Sequence, residues 1–536
     1  PVRTGRRRHL GAGAGAVLLC VLAFLQRWGS TTFDTKLDLA ENPAGFMARA
    51  LHLWNPQATS GELQQQAYGY LFPMGPFFAA GHWLGVPPWI TQRAWCALLL
   101  CAAYFGVLLL ARALRIGNEP GRVLGALAYA LAPRVLTEIG PLSSEMLPVV
   151  ALPWVLLPLV TARRTVSPRR AAALSALAVL CMGGINAAAV VMALVLPGLW
   201  LVTRHWDRHL AKLMTWWVVC VALACLWWIV PLLLFGQYSL PFLDYIESST
   251  TTTAVTSMFQ AVRGTNQWGG YIVQGEPWWP AGWALVDHPA LMAATALVAA
   301  VGLAGLAMRG LPERRFLVLG ALVGLTLLTM GYVGTLDSPL APYVRPLLDG
   351  TLAPLRNVHK FEPVLRLPVV LGLTYAASRS FRREWMRLPT APVVAALLIV
   401  ATAPAWLLLL RPGPGWAAVP GYWDQATTWL AKDPQARTLV VPGSGFAQHT
   451  WGRTVDEPIQ PLAGAPWATR HQIPLGSEGN IRVMDAVEAV LAQGRGSPAL
   501  ADFLARSGYS YLLVRHDLDR AASGAPPIAV VRQAVA

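Results

Sequence analysis

The sequence predicts an α-helical polytopic membrane protein with a small α/β domain at its carboxyl end. Hydrophobic residues make up 55% of the 536 residues and charged residues only 13%, and the mean hydropathy is +0.46. One soluble core of this length does not need so much apolar surface, so we expect lipid to surround most of the chain. Basic residues recur between the apolar stretches, and charged residues become more frequent after residue 411.

Eleven apolar stretches are candidates for membrane spans, because a helix needs roughly 20 largely apolar residues to cross the hydrocarbon core. They are 10–26, 91–111, 122–137, 144–162, 171–186, 187–203, 213–236, 284–308, 316–335, 363–378 and 391–411. We therefore predict a transmembrane core of about eleven spans within residues 1–411. Residues 412–536 are predicted to form the external α/β domain, with short strands at 439–442 and 509–514 and a helix near 481–493.

The net charge of +15 raises the question of a nucleic-acid partner, but the positions of the basic residues indicate a membrane topology instead. Six short loops hold 21 of the 42 Lys and Arg residues, and they fall at every second connection between the predicted spans. By the positive-inside rule these loops and the amino terminus are cytoplasmic. The predicted outer face of the cell membrane then carries loops 27–90, 237–282 and 336–362 and the α/β domain. A nucleic-acid partner is not expected.

Carboxylates in the outer loops are the first candidates for chemistry. Asp34 and Asp38 follow the first span in a loop that is otherwise poor in charge, and their spacing predicts that both lie on one helix face. A carboxylate at a membrane mouth can act as a general base if the acceptor comes within hydrogen-bond reach. Asp34 is the candidate catalytic residue, and Asp38 and Glu145 are secondary carboxylates. Helix capping and solvation are the alternatives for any of them, and Glu145 flanks a short outer turn together with Glu138.

Cationic side chains in the third outer loop are the second set of candidates. Arg356, His359 and Lys360 lie within five positions, on the side of the membrane that the positive-inside rule leaves poor in basic residues. A lipid phosphate at the outer leaflet would explain them, since Arg and Lys form charge-assisted bonds to phosphate oxygens. Anchoring to lipid headgroups without catalysis is the alternative. Arg263 in the second outer loop is a weaker candidate for the same phosphate.

The second outer loop also offers two weaker contacts to a sugar, Asn266 and Trp268. An indole ring can stack on a sugar, although Trp is enriched at membrane interfaces for unrelated reasons. No group of His, Cys and Asp has the spacing of a zinc site. A cofactor is therefore not required, and a divalent cation shared by Asp34 and Asp38 remains open.

Several motifs resemble those of actinobacterial α-(1→3)-arabinofuranosyltransferases of the D type, which are glycosyltransferases of the GT-C type. The resemblance covers most of residues 20–420. The motifs are Thr32-Phe33-Asp34-Thr35-Lys36-Leu37-Asp38-Leu39, Leu53-Trp54-Asn55-Pro56, Tyr68-Gly69-Tyr70-Leu71-Phe72-Pro73-Met74-Gly75-Pro76 and Arg356-Asn357-Val358-His359-Lys360-Phe361. Members of the family are longer, so the chain resembles their amino-terminal catalytic part or a short relative.

The resemblance implies a GT-C-type core that transfers arabinofuranose from decaprenyl-phosphate arabinose to the 3-hydroxyl of an α-(1→5)-arabinan, in the biosynthesis of arabinogalactan or lipoarabinomannan. Inversion at the anomeric carbon would need a single base, for which Asp34 matches the catalytic carboxylate of the family. Arg356, His359 and Lys360 match a family motif without an assigned role.

Three other functions remain open from the sequence. Another sugar on a lipid phosphate could be the donor, or the chain could transport a lipid-linked sugar. A transporter would usually place charges near the bilayer midplane and contain inverted repeats, and neither is evident in the sequence. A non-catalytic scaffold for wall assembly would tolerate loss of Asp34. The sequence also leaves open whether an accessory carrier protein takes part.

Overall fold

The chain forms two compact units in its computed structural model, which describes residues 2–34, 36–64, 66–162, 167–238, 245–383, 386–473 and 475–536. Two of the loop arginines counted above, at 163 and 164, and part of the second outer loop, at 239–244, lie outside these ranges. The first unit comprises Pro1–Trp28, Arg93–Ile229 and Ser248–Pro412. The second comprises Gly29–Gln92, Val230–Glu247 and Gly413–Ala536.

The first unit consists mainly of helices, two of which continue into the second unit. Two short antiparallel hairpins also belong to it, Val273–Gln274 with Glu276–Pro277 and Ser380–Arg383 with Met386–Pro389. The α-helices are Val2–Leu25, Pro88–Ala113, Glu119–Ala130, Pro133–Glu138, Met146–Thr161, Pro168–Leu180, Ala187–Ala193, Val195–Val202, Arg208–Tyr238, Ser249–Thr253, Met258–Arg263, Pro280–Asp287, Pro289–Ala307, Arg314–Thr329, Ala341–Asp349, Glu362–Ala377, Thr390–Ala401 and Ala403–Trp406. The 3₁₀ turns are Ser143–Glu145, Trp268–Tyr271, Ala353–Leu355 and Val358–Phe361.

Four helices among the described residues are long and apolar enough to cross a membrane: Pro88–Ala113, Ser143–Thr161, Arg208–Tyr238 and Pro289–Ala307. Shorter apolar helices occur at Gly11–Leu25, Ala187–Val202 and Thr390–Ala401. These lengths and compositions are those of a helical membrane protein. The number of spans, predicted as about eleven, stays a prediction.

Several predicted spans are interrupted in the structure, among them 122–137 and 391–411. The stretch 122–137 forms two helices that meet between Ala130 and Pro133, and 391–411 is helical only from Thr390 to Trp406, with a break at Thr402. Proline lies near both interruptions, and a proline ring is tolerated in the first turn of a new helix but not in a helix interior. Apolar composition therefore located these segments but not the places where their helices end.

The central helix of the first unit is Glu362–Ala377, in which every residue is buried. It packs against Glu119–Ala130, Pro289–Ala307 and Arg314–Thr329. Glycines allow the close approach to one of these helices, since a Cβ atom on Gly305 would lie 2.0 Å from the carbonyl oxygen of Gly372. Small residues at such crossings let backbones pack directly, as is common between membrane helices. This packing fixes the amino-terminal end of the central helix, where Lys360 and His359 precede it.

The second unit contains a three-stranded parallel sheet in the order Trp467–Ala468, Thr438–Val441, Tyr511–Val514. The central strand is buried along its whole length. The remaining strands form two antiparallel pairs, Trp54–Asn55 with Glu62–Leu63 and Ala447–His449 with Gly452–Val455. The α-helices are Asp38–Glu41, Pro43–Ala50, Met74–Trp83, Gly421–Leu430, Ile459–Leu462, Glu478–Gln493, Pro498–Arg506, Arg520–Ser523 and Ile528–Val535, and Ala67–Leu71 is a 3₁₀ turn.

Alternate residues of the central strand face two different cores. Leu439 and Val441 pack with Met484 of helix Glu478–Gln493, whereas Val440 packs with Trp423 on the other face. This is the two-sided burial expected for a parallel strand covered by helices. The two predicted strands and the predicted helix are thus confirmed, although the boundaries of each shift by one to three residues.

A largely buried carboxylate, Asp517, with a side chain 11% exposed, connects three segments of this unit. Its Oδ2 accepts hydrogen bonds from Trp423 Nε1, Trp451 Nε1 and Tyr422 Oη, all at 2.9 Å, and lies 3.4 Å from His449 Nδ1. Burial alone would raise the pKa of Asp517, but His449 and the two indole N–H groups outweigh it and hold the pKa below its usual range.

We expect the second unit to lose stability in acid through this carboxylate. A lowered folded-state pKa means that the ionised Asp517 stabilises the fold above the ordinary Asp pKa of about 3.9, and that this contribution disappears as the pH falls below it. Thermal unfolding of the wild type and of Asp517→Asn, followed from pH 3 to pH 7, should show a gap that is constant above about pH 5 and narrows towards pH 3. An equal gap at every pH would contradict this linkage.

Candidate active site

The first unit contains a buried cluster of five ionisable side chains, Arg134, Glu138, Glu145, His359 and Lys360. Arg134 Nε lies 3.1 Å from Glu138 Oε2, and its Nη2 lies 3.5 Å from Glu145 Oε2. Lys360 Nζ lies 3.1 Å from Glu145 Oε1. Buried charges are costly unless they are paired, and here each carboxylate faces at least one cation.

Local sequence explains how the cluster is built. Pro133 begins the helix Pro133–Glu138, so that Arg134 and Glu138, four residues apart, lie on one helix face. Arg134 Nη1 donates to the carbonyl oxygen of His359 at 3.0 Å and so holds the 3₁₀ turn that carries His359 and Lys360. Asn186 Nδ2 donates to Glu145 Oε1 at 2.9 Å from a neighbouring helix start. The side chains are therefore fixed by backbone and amide contacts as well as by charge.

Burial shifts the protonation equilibria of two members of the cluster. Burial lowers the pKa of His359 to about 4, which leaves the imidazole neutral at neutral pH. Burial also raises the pKa of Glu138 to about 7, helped by the negative charge of Glu145. A raised pKa favours the protonated form of Glu138 and so reduces the negative charge that faces Arg134 and Lys360. The cluster therefore favours an added anion.

Three residues of this cluster could in principle hold a metal ion, because ligand atoms of Glu138, Glu145 and His359 lie within 4.8 Å of one another. In the described part of the chain, Glu138 Oε1 and both His359 nitrogens have no hydrogen-bond partner. However, Arg134 and Lys360 already neutralise the same carboxylates, and a divalent cation would add two further positive charges beside them in a buried place. The residues present fit an anion beside the cluster better than a cation within it.

Arg356 lies in the same unit, three residues before His359. Its side chain is buried, and Nη1 lies 3.9 Å from Asp349 Oδ1. Its carbonyl oxygen accepts from Thr252 Oγ1 at 2.7 Å, which anchors the backbone of the turn. The structure thus brings the three predicted cationic residues into one short buried segment, in which Lys360 contacts Glu145.

The second outer loop lies against this segment. Gln267 lies close enough to Glu138 to lower its pKa, and Trp268 Nε1 donates to Asn357 Oδ1 at 2.9 Å. Asn266 lies immediately before them, is 1% exposed, and has no hydrogen-bond partner for either amide atom among the described residues. A buried amide that lacks protein partners normally has another polar partner. This position suits the sugar contact predicted for Asn266.

Arg263 is arranged differently from the other predicted phosphate contacts. Its Nε donates to Thr295 Oγ1 at 2.9 Å and its Nη2 to the carbonyl oxygen of Leu285 at 2.6 Å. The guanidinium also lies over the ring of Phe259, with Cζ 5.0 Å from the ring centroid. These contacts favour a structural role between helices.

Asp34 lies in the second unit, is 6% exposed, and precedes the first helix of the loop. Its segment is extended and is held by Gln92, which accepts from Thr32 N at 3.2 Å and donates to Thr32 O at 2.7 Å. The helix begins only at Asp38. The prediction that Asp34 and Asp38 share a helix face was therefore wrong, because the Asp456 carboxylate binds the N–H of Leu37 at 3.0 Å and fixes a turn between them.

The contacts of Asp38 indicate a structural role. It is fully buried, forms an ion pair with Arg49, and accepts from Gln460 Nε2 at 2.5 Å. Burial raises the pKa of Asp38, whereas Arg49 opposes the rise. With these partners Asp38 connects the first loop to the tail of the same unit, and a cation shared with Asp34 would have to compete with Arg49.

Arg134 and Asn186 were not predicted as site residues, although the position of Arg134 in the sequence indicated a functional role. It lies within the apolar stretch 122–137, where an ionisable residue is costly and usually functional. A Glu four positions later offered a partner on the same helix face. Asn186 carried no comparable signal, since a single Asn before an apolar helix is more often a cap, and it does cap helix Ala187–Ala193.

The fold matches the crystal structure of the Archaeoglobus fulgidus oligosaccharyltransferase with a TM-score of 0.51 at 12% identity, over 94% of this chain and 69% of that one. The chain belongs to the family of alpha-(1→3)-arabinofuranosyltransferase N-terminal GT-C domains, whose model matches residues 18–536.

Relatives at higher identity support this assignment. An alpha-(1→3)-arabinofuranosyltransferase of Mycolicibacterium smegmatis is 45% identical over 96% of this chain, and one of Mycobacterium tuberculosis is 45% identical over 94%. The cryo-EM structure of arabinofuranosyltransferase AftD from mycobacteria superposes with a TM-score of 0.82 and 43% identity, over 97% of this chain and 36% of that one. The chain spans 38% of the length of each curated relative.

Proposed function

We propose that this chain transfers an arabinofuranosyl group from decaprenyl-phosphate arabinose to the 3-hydroxyl of an α-(1→5)-arabinan chain of arabinogalactan or lipoarabinomannan. The observation that carries the proposal is the match of residues 18–536 to the arabinofuranosyltransferase GT-C family. Both curated relatives, named alpha-(1→3)-arabinofuranosyltransferases, support the linkage. The donor and the glycan polymers follow from the family resemblance.

The proposed reaction is a single displacement with inversion at the anomeric carbon. The acceptor oxygen attacks that carbon, the bond from the carbon to the phosphate oxygen breaks, and the acceptor proton passes to the carboxylate of Asp34. The products are the extended arabinan and decaprenyl phosphate, which departs as an anion and needs no general acid. This differs from a glycosidase, which uses two carboxylates.

The donor phosphate is proposed to bind at Arg356, His359 and Lys360. Two features of the cluster support this assignment. Arg134 and Lys360 place two buried cations beside Glu145, and the low pKa of His359 leaves a neutral imidazole that can donate a hydrogen bond without a second proton. Fixed donors in a buried site stabilise charge that develops on a leaving group more strongly than water does. Glu145 would hold Lys360 in position for the phosphate.

The reaction is placed on the outer face of the plasma membrane, with the amino terminus in the cytoplasm. Support comes from the alternation of basic loops with the loops that carry Asp34 and Lys360. A membrane-bound donor would then reach the site laterally from the outer leaflet.

Transfer can be measured directly with the chain in detergent or vesicles, radiolabelled decaprenyl-phosphate arabinose and a short α-(1→5)-arabinan. We expect labelled arabinan with a new branch at a 3-hydroxyl, identified by linkage analysis. If only a different sugar on a lipid phosphate is transferred to arabinan, the proposed donor is wrong and that sugar is the donor. Movement of intact donor across the bilayer without transfer would indicate a transporter.

Lys360→Met should weaken the apparent affinity for the donor about 10- to 100-fold, because a hydrogen bond to a charged group typically contributes 1.5–3 kcal/mol. The affinity for arabinan should stay the same. Lys432→Met, at an exposed position of the tail, is the matched control. Since Lys360 also faces Glu145, the double variant Lys360→Met/Glu145→Gln tests whether an unpaired carboxylate causes the loss. Weaker arabinan binding with unchanged donor affinity would refute the assignment.

A further inference from the structure

The second unit encloses a cavity of about 270 Å³ between its first loop and its tail. Residues between Lys36 and Ala67 form one wall, and residues between Gly445 and Leu475 form the other. The volume lies just below the range of about 300–1,000 Å³ typical of small-molecule sites. It suits a ligand of one or two sugar units.

The walls are fixed in position before any ligand binds. Trp467, which lines the cavity, donates its backbone N–H to Gln57 O at 2.8 Å and accepts from Thr59 N at 2.8 Å. Lys36 Nζ lies 3.2 Å from Asp456 Oδ1 across the cavity wall. A site whose walls are already ordered loses less entropy when a ligand binds.

The charges that line the cavity compensate one another. Lys36 is paired with Asp456, and Arg49 is paired with Asp38. Burial raises the pKa of the remaining carboxyl group, Glu62, to about 6. No positive charge is left in excess, so the lining does not suit a phosphate.

The rest of the lining suits a neutral, hydroxyl-rich ligand. Gln57 and Gln472 are exposed amides on opposite walls, and an amide can both donate to and accept from a hydroxyl group. Phe446 is 38% exposed at the cavity and can cover the apolar face of a sugar ring. A few polar groups combined with aromatic surface are usual in small-molecule sites.

The cavity is also close along the chain to the proposed base. Lys36, in the cavity wall, donates its backbone N–H to Asp34 O at 3.0 Å. The cavity wall is therefore hydrogen-bonded to Asp34, two positions earlier in the chain. An acceptor held in the cavity would thus be held by the same loop that carries the base.

We propose that this cavity binds the acceptor, a neutral furanose-containing glycan, through Phe446, Gln472 and Gln57. This inference rests on the proposed function, because it assigns the cavity to the acceptor of that reaction. The charged lipid donor binds elsewhere, at the cationic segment of the first unit.

The test measures binding of a synthetic α-(1→5)-arabinofuranosyl hexasaccharide to the purified full chain by titration calorimetry, with decaprenyl phosphate as a second probe. Phe446→Ala and Gln472→Ala should each weaken hexasaccharide binding about 3- to 10-fold, the range for an aromatic or single hydrogen-bond contact. Binding of decaprenyl phosphate should not change. Trp429→Ala and Gln435→Ala, exposed in the same tail but outside the cavity, are the matched controls.

Unchanged hexasaccharide affinity in both cavity variants, or a wild type that does not bind the hexasaccharide, would overturn the inference. A selective loss of decaprenyl phosphate binding would also overturn it and assign the cavity to the donor. The transfer assay separates the two proposals. A wild type that binds the hexasaccharide in this cavity but transfers no arabinose would refute the proposed function and leave the glycan site intact.

Discussion

Asp34→Asn is expected to reduce arabinosyl transfer by about 10²- to 10⁴-fold, the usual contribution of a positioned acid or base. The substitution keeps the shape of the side chain and its ability to accept a hydrogen bond, but it removes the basicity needed to take the acceptor proton. Asp34 is buried in an extended segment that Gln92 holds in place, so the loop should keep its conformation. Initial rates with labelled donor, at saturating donor and acceptor, measure the effect.

Two further variants serve as controls for Asp34→Asn. Asp502→Asn removes an exposed carboxylate from the tail and should leave the rate unchanged. Asp38→Asn leaves Arg49 without its ion-pair partner and should lower the thermal stability of the chain as well as its activity. If Asp34→Asn keeps a near-normal rate while it folds and binds decaprenyl phosphate, the base lies elsewhere, and Glu145 is the next candidate.

Arg134→Met is expected to lower the free energy of unfolding by about 3–5 kcal/mol, the typical cost of removing one partner from a buried ion pair. Arg134 is 1% exposed, contacts both Glu138 and Glu145, and donates to the backbone of His359. Met occupies much of the same volume without the charge. The fraction of monodisperse protein that survives heating in detergent, compared with the wild type, measures the loss.

A second substitution tests whether charge causes this loss. Arg134→Met/Glu138→Gln removes the carboxylate that loses its cation, since Glu145 keeps Lys360 at 3.1 Å, and should recover part of the stability because neighbouring groups couple in double-mutant cycles. Arg204→Met is a control, since that arginine is paired with Glu313 at 2.7 Å but is partly exposed, and such pairs contribute little. A double variant no more stable than Arg134→Met alone would mean that lost packing, and not unpaired charge, explains the effect.

Features with a local cause could be predicted from the sequence. The strand Thr438–Val441 is a short run of β-branched and aliphatic residues, and its apolar character reflects burial on both faces. The helix Glu478–Gln493 is bounded by Ser477, whose side chain caps its first turn, and by Gly494 in the left-handed conformation. Arg356, His359 and Lys360 could be predicted because the positive-inside rule does not expect basic residues in their loop.

Features that depend on contacts between distant residues could not be predicted in this way. Asp38 looked like a second catalytic carboxylate because its partner Gln460 lies 422 positions away. The role of Arg134 depends on Lys360 and Glu145, which are brought to it by other helices. Helical periodicity describes one segment at a time, so the cavity between the first loop and the tail also had no sequence signal.

The second unit is built from segments that lie far apart in the chain, so its parts are synthesised at different times. Its first loop ends at Gln92 and its tail begins at Gly413, with 320 residues between them (413 − 92 − 1). At about 5–20 residues per second a ribosome takes roughly 16–64 s to cross that interval. Throughout this time Lys36 and Asp38 have been made, but Asp456 and Gln460 have not. The loop that carries the proposed base can therefore reach its final conformation only late in translation, so a nascent chain stalled before Asp456 would be inserted in the membrane yet inactive.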